Sequence, residues 1–499
     1  MRRITRRQAL GEILAGTAAL TIAGCGTKGS TRFAATGSTL FSTWRDAAGV
    51  GALTPGLGEP LIARTELGPR VGPAGVLGTL AHVTDAHVLD ASSPARVTFL
   101  DRLGAPFEST FRPQETLTTQ VLAGTVAAIG ALHPDLVIQG GDLIDNDQSN
   151  ELSQALSVLR GGAVRPGSGP RGYFGVQLPS DPDPFYYRPD LDAPRHPGLL
   201  ERAVVPFASM GVRARWCPVL GDHDILVAGE IPPTGETRAL ALGDRAVWEP
   251  PPGLTSPPGG TPSGSYSPDG PPDPRLVDWL LARALAAPKV GVPKDSSRRE
   301  MDVREVVGRL RSSSGVGAAG ATLDYRLDVG DKLSLIVLDL ARRGGGSGGL
   351  VRPGQAAWLA SELSGAAARW VLVVSHQPLE SSEGGARLLA LLDGHPRVIA
   401  ALSGHTHCNS IAPRATAAGG YWLISTASLI DYPQQARALR VLETADGGVA
   451  IQTWMLDHIP SSLGRISREL SYLDAQGGRP RGFAGGRLDR NVTLYRAAG

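Results

Sequence analysis

Cysteine is scarce: 499 residues contain three, Cys25, Cys217 and Cys408. With Cys25 set aside for the reason given below, one pair remains, which excludes a disulfide framework. An excess of one charge is lacking too. The 49 basic residues against 47 acidic ones leave a net charge of +2 with no single-sign stripe, so nothing points to a nucleic-acid partner. Beyond the N-terminal region there is no apolar run of about 18 residues or more, so no membrane-spanning helix is expected there. Nor is there an internal repeat. What the chain does hold is 64 glycines and 39 prolines, which predict many loops, beside a hydrophobic fraction of 42% that suffices for a packed core. Its length fits one large domain with insertions, or two domains.

The N-terminus stands apart. Thr5-Arg6-Arg7-Gln8-Ala9-Leu10 resembles a twin-arginine export signal, with Ala9 where a bulky apolar residue is usual. A short apolar stretch follows and closes in Ile22-Ala23-Gly24-Cys25, which resembles the lipobox of bacterial lipoproteins. Residues 1–25 are therefore expected to be a signal peptide. The mature protein would be extracytoplasmic, held at the membrane by lipid on Cys25. Residues 26–75, rich in Gly, Ser, Thr and Pro, read as a tether and N-terminal arm.

From Val76 a rhythm of helix, apolar strand and polar motif begins. Strands are expected at Val76 to Val83, Asp135 to Ile138, Trp216 to Leu220, Trp370 to Val374 and Val398 to Leu402. Helices are expected around Leu117 to Leu132, Ala203 to Met210, Gln355 to Leu363 and Ala386 to Leu392. Leu323 to Leu327 and Leu333 to Leu340 read as a hairpin, and Asp446-Gly447-Gly448 as a turn between strands. Residues 249–274 are expected to be a disordered Pro/Gly-rich insertion, 275–315 a helical insertion, and 461–499 a C-terminal extension to a domain spanning 76–460.

Each strand of the rhythm ends at a cluster of metal-ligating residues. These are Asp85-Ala86-His87, Gly141-Asp142, Gly221-Asp222-His223-Asp224, His376 and Gly404-His405-Thr406-His407. Five of the 10 histidines lie here, and carboxylates with imidazoles are the donors that divalent metals such as Mn, Fe or Zn take. Each motif alone is ordinary: a turn, or a satisfied core histidine. Placement at the carboxyl ends of strands is where open α/β sheets build their sites. Cys217 and Cys408 flank two of the motifs as thiol ligands, a single bridge or space-filling residues, the last being favoured.

Taken in order, these motifs resemble the pattern of the calcineurin-like metallophosphoesterase superfamily, D-x-H, G-D, G-N-H-D/E, H and G-H-x-H, over roughly residues 80 to 435. The resemblance implies a four-layer α/β/β/α sandwich of two mixed sheets flanked by helices, with long loop insertions. Asp85, His87, Asp142 and His407 would hold one metal ion; Asp142 would bridge to a second, completed by Asp222, His376 and His405. His223 would serve the scissile phosphate as acid or hydrogen-bond donor, and Asp224 would orient it. Asp145 and Asn146 would be supports, or a solvated acidic loop. Asp222 departs from the pattern, which has Asn. Ser93-Pro94-Ala95-Arg96 and Thr426-Ala427-Ser428-Leu429-Ile430-Asp431-Tyr432-Pro433 resemble stretches of one exported bacterial branch.

The implied activity is hydrolysis of a phosphomonoester or phosphodiester, small-molecule or lipid, by a metal-bridging hydroxide. A pyrophosphate-bond hydrolase is one alternative, and a non-catalytic scaffold that keeps the fold is another. Arg96, Arg102, Tyr432 and Gln434 are candidate substrate contacts. His82, His133, His196, His395 and His458 read as structural or surface residues.

Overall fold

Apolar runs of a few residues, punctuated by glycine and polar turns, become the strands of two sheets in the computed structural model. It describes residues 36–498 apart from 104–109, 182, 248, 250–273, 318–319, 367 and 478–483. The expected signal peptide with Cys25, the first part of the tether and nearly all of the 249–274 insertion lie outside the described residues.

The first sheet orders seven strands as Ile62–Leu67, Val492–Arg496, Val449–Asp457, Gln435–Thr444, Pro73–Val83, Leu136–Gln139 and Trp216–Pro218. Its last three strands are parallel and its middle is antiparallel. The second sheet orders six as Tyr325–Val329, Leu333–Leu338, Trp370–Ser375, Val398–Ser403, Tyr421–Ser425 and Ser410–Arg414, with four parallel strands between antiparallel edges. Leu333–Leu338, Trp370–Ser375 and Val398–Ser403 are buried at every position. Parallel strands covered on both faces read as unbroken apolar runs for this reason.

Helices Gln355–Gly365 and Gly385–Asp393 cover the second sheet. Leu359, Leu363, Leu388 and Leu392 pack with Val371, Val373 and Val398 beneath them. Helix Thr118–Leu132 lies on the first sheet and helix Ser149–Arg160 beside it. Thr118–Leu132 stops at His133, held at φ +49° before Pro134, whose ring disfavours helical backbone in the residue before it. Between the sheets, the Tyr325 hydroxyl donates to the Pro218 carbonyl at 2.5 Å, and Arg437 reaches Asn409 Oδ1 at 2.9 Å and the Ser425 carbonyl at 3.2 Å. The layers run helix, sheet, sheet, helix: an α/β sandwich of two mixed sheets. No helix of the described residues is long and apolar enough to cross a membrane.

Two expectations are corrected. Residues 203–210 are not a helix. Leu199–Ala203 is helical, but Val204, Val205 and Pro206 end it, and Phe207–Ser209 is a short strand paired with Gly162–Val164. The boundaries at 76 and 460 also fail as edges of the fold. Ile62–Leu67 from the arm pairs in parallel with Val492–Arg496 from the C-terminal extension, and the two complete the first sheet. Within the 275–315 insertion, helices Pro274–Ala286 and Val303–Ser314 are present, the second capped by Asp302, which accepts from the Glu305 amide at 2.8 Å.

Candidate metal centre

Strand ends from both sheets converge on one site. Asp85 and His87 follow Pro73–Val83, Asp142 follows Leu136–Gln139, and Asp222 with His223 follows Trp216–Pro218. From the second sheet, His376 follows Trp370–Ser375, and His405 and His407 follow Val398–Ser403. Donor atoms of Asp85, His87 and His407 lie within 4.8 Å of one another, as do those of Asp142, Asp222, His376 and His405. The resemblance implies these two sets with Asp142 added to the first; a third grouping, His87, Asp142 and His223, is as close. Asp142 belongs to both sides, with Oδ2 3.1 Å from His376 Nε2 and 3.7 Å from His87 Nε2. A carboxylate shared by two cations would need a position of this kind.

The backbone is bent to achieve this. Asp85, His87, Asp142, His405 and His407 all take left-handed φ, between +41° and +63°. Such a conformation costs a non-glycine residue about 1–3 kcal/mol and persists where surrounding structure enforces it. Neighbouring glycines make the crowding possible. A Cβ at Gly141 would stand 2.4 Å from His376 Nδ1, and one at Gly221 would stand 2.1 Å from Asp142 Oδ1.

Ring hydrogen bonds show what the centre expects. His87 Nδ1 donates to Asp145 Oδ1 at 3.1 Å, His376 Nδ1 to the Gly140 carbonyl at 2.8 Å, and His407 Nδ1 to Asp431 Oδ2 at 2.6 Å. In the neutral tautomers this leaves each Nε2 as a lone pair facing the same interior. His87 Nε2 and His407 Nε2 stand 3.3 Å apart. His376 Nε2 is buried without a hydrogen-bond partner, between Asp142 Oδ2 at 3.1 Å and Asp222 Oδ1 at 3.3 Å. Lone pairs and carboxylate oxygens crowded in this way repel unless positive charge lies among them. Imidazoles fixed through their outer nitrogens are also how metal sites orient their ligands. The donor set fits two cations. Without them, burial opposes charge on His407, yet Asp85 and Asp431 carry its pKa up to about 9.

His223 lies beside the centre. Its Nδ1 donates to the Asp145 carbonyl at 2.8 Å, and its Nε2 is 4.0 Å from Asp222 Oδ2. Burial lowers its pKa, but the carboxylates of Asp142, Asp222 and Asp145 outweigh this and raise it. Asp224 does not orient the ring, contrary to expectation. Its carboxylate accepts from the amides of Leu143 and Gly221, both at 2.9 Å, and of Ile144 at 3.3 Å, tying two ligand loops together. The backbone of Asp145 holds His223 instead.

The expected substrate contacts are also engaged elsewhere. Arg96 is buried against Asp145 and Glu115 and so supports His87 through Asp145. Arg102 pairs with Asp183 and lies over the Phe185 ring at 4.5 Å. Gln434 is buried, donating to the Ile430 carbonyl and Ser467, and Tyr432 packs against Tyr472. Three supports went unread in the sequence. Asp431 holds His407, Arg112 Nε donates to Asp431 Oδ1 at 2.7 Å, and Gln377 Nε2 donates to Asp222 Oδ1 at 2.9 Å. Asp431 falls within the Thr426 to Pro433 stretch singled out by resemblance, which was its only signal. Asn146 accepts from the Ala228 amide. Cys217 and Cys408 are both free thiols.

No family model and no curated protein matches the chain. Among solved structures it is similar to a dimetal phosphatase from Danio rerio, at 12% identity over 77% of this chain and 99% of that one, with TM-score 0.40. It is similar to a purple acid phosphatase from yellow lupin seeds, at 10% identity over 81% of this chain and 54% of that one, with TM-score 0.33. A third is PhoD, at 11% identity over 85% of this chain and 80% of that one, with TM-score 0.30. Likeness this loose fixes no residue correspondence. The ordered motifs, and the sandwich that carries them, fit the metallophosphoesterase superfamily that the sequence resembles.

Proposed function

We propose that the protein is a metal-dependent phosphohydrolase acting on a phosphomonoester or phosphodiester. The observation that carries this is the buried, partnerless Nε2 of His376, facing two carboxylates inside a ring of seven convergent donors. Asp85, His87, Asp142 and His407 would hold one cation, and Asp142, Asp222, His376 and His405 the other. Such a pair supplies Lewis acidity and a nucleophile at neutral pH. The chain's own residues do the rest. Asp145, Gly140 and Asp431 keep the ring lone pairs aimed inward, so that little reorganisation is needed during reaction. His223, with Nδ1 fixed on the Asp145 carbonyl, has Nε2 on the side of Asp222, 4.0 Å from its Oδ2. Protonated there, it can give a proton to the departing oxygen.

The test is elemental analysis of purified protein beside turnover of chromogenic phosphate esters, before and after chelation and with Mn²⁺ restored. Activity lost with chelator and regained with metal supports the reading. Fully metallated protein without turnover on any ester or pyrophosphate supports the scaffold alternative. Pyrophosphate-bond substrates belong in the same screen. We further propose export and lipid anchoring through Cys25, on the strength of the N-terminal motifs; a Cys25→Ala chain that still partitions with membranes would end that part.

A further inference from the structure

Asp222 bears on which phosphate ester the centre accepts. Where the pattern has a neutral amide, this carboxylate lowers the net charge of the centre by one unit, whichever cations are bound. With two divalent ions, Asp85, Asp142 and Asp222 leave one positive charge where an amide would leave two. The carboxylate is held by a fixed donor. Gln377 Nε2 donates both to Asp222 Oδ1 at 2.9 Å and to the Ser347 carbonyl at 3.0 Å, so its amide is locked with nitrogen toward the carboxylate.

The arginines near the centre do not restore the missing charge: Arg96 is engaged with Asp145 and Glu115, and Arg112 with Asp431. A monoester carries close to two negative charges above about pH 6. A diester carries one. Desolvating an unmatched charge is costly, so a site of low net charge selects against the dianion.

On the hydrolase reading above, we infer that the preferred substrates are phosphodiesters rather than phosphomonoesters, and that Asp222 sets the preference. The full-length, metal-reconstituted protein would be assayed at pH 8 with bis(p-nitrophenyl) phosphate and p-nitrophenyl phosphate. Binding of dimethyl phosphate and inorganic phosphate would be measured by calorimetry on the same preparation. The expected result is kcat/KM in favour of the diester by about tenfold or more, the scale of one unit charge across a partly buried site, with the monoanion binding the tighter of the two. Asp222→Asn, checked by elemental analysis to hold two metals, should shift both ratios toward the dianion by about tenfold. A parent that prefers the monoester or binds phosphate better overturns the inference, as does an Asp222→Asn protein with full metal and unchanged ratios. If the variant misfolds or loses metal, the parent's two ratios decide. Should neither ester turn over, the hydrolase reading fails, while the binding comparison still judges the charge argument.

Discussion

The two sheets contribute unlike halves to the centre. The first supplies all three carboxylates, Asp85, Asp142 and Asp222, with His87 and His223; the second supplies only imidazoles, His376, His405 and His407. Two of the three carboxylates are steadied by backbone amides: the His223 amide donates to Asp142 Oδ1 at 2.9 Å, and the His405 amide lies 3.2 Å from both oxygens of Asp85. By contrast, the imidazoles are steadied by acceptors on their outer nitrogens, His87 of the first sheet as well as His376 and His407 of the second. The anionic half therefore sets charge and spacing, and the imidazole half sets direction. Damage to the first should cost more than damage to the supports of the second.

Asp142→Ala attacks the carboxylate proposed to serve both cations. Turnover should fall by about 10³-fold or more, with metal content dropping below two per chain by elemental analysis. His223→Ala tests a neighbour that the proposed reading gives no metal. Activity should fall by about 10²-fold or more on alkyl esters, far less on a nitrophenyl ester whose leaving group needs no proton, and metal content should stay unchanged. Asp431→Asn strikes the imidazole half through His407; metal affinity, read by competition with a chelator, should weaken by about 10–100-fold. If it instead matched Asp142→Ala, the contrast between the halves would collapse. Asp224→Ala should act on stability, lowering it by about 2–4 kcal/mol in denaturant unfolding through the loss of a buried, amide-bonded carboxylate, because it braces loops and does not touch the His223 ring. Arg102→Ala should leave kcat/KM within about threefold, since its guanidinium is paired at the surface with Asp183.

The seven donors were legible because each sits in a short motif at the end of an apolar strand, so local pattern and sheet topology agree. Their sorting into two sets, and the bridging role given to Asp142, came from resemblance. The supports were not legible. His407 and Asp431, or Arg112 and Asp431, meet only after strands from distant parts of the chain are assembled, and an Asp beside a Tyr-Pro pair carries no mark of a ring partner. Asp224 misled for the opposite reason. Sequence adjacency to His223 suggested contact, whereas the left-handed turn at Asp142 brings the amides of Leu143 and Ile144 to it. Residues 203–210 misled because helical propensity was read through Pro206. The strands Ile62–Leu67 and Val492–Arg496 are short and motif-free, and only pairing gives them a place: Val492–Arg496 joins Val449–Asp457, and Ile62–Leu67 adds to it as the edge.

Because each set of donors draws on both sheets, any ion seated among them would work as a rivet through the sandwich. Its binding energy then belongs to the fold as well as to the reaction, since cations bound only by the native chain stabilise it by mass action. The protein's melting temperature becomes a gauge of the metal supply around it.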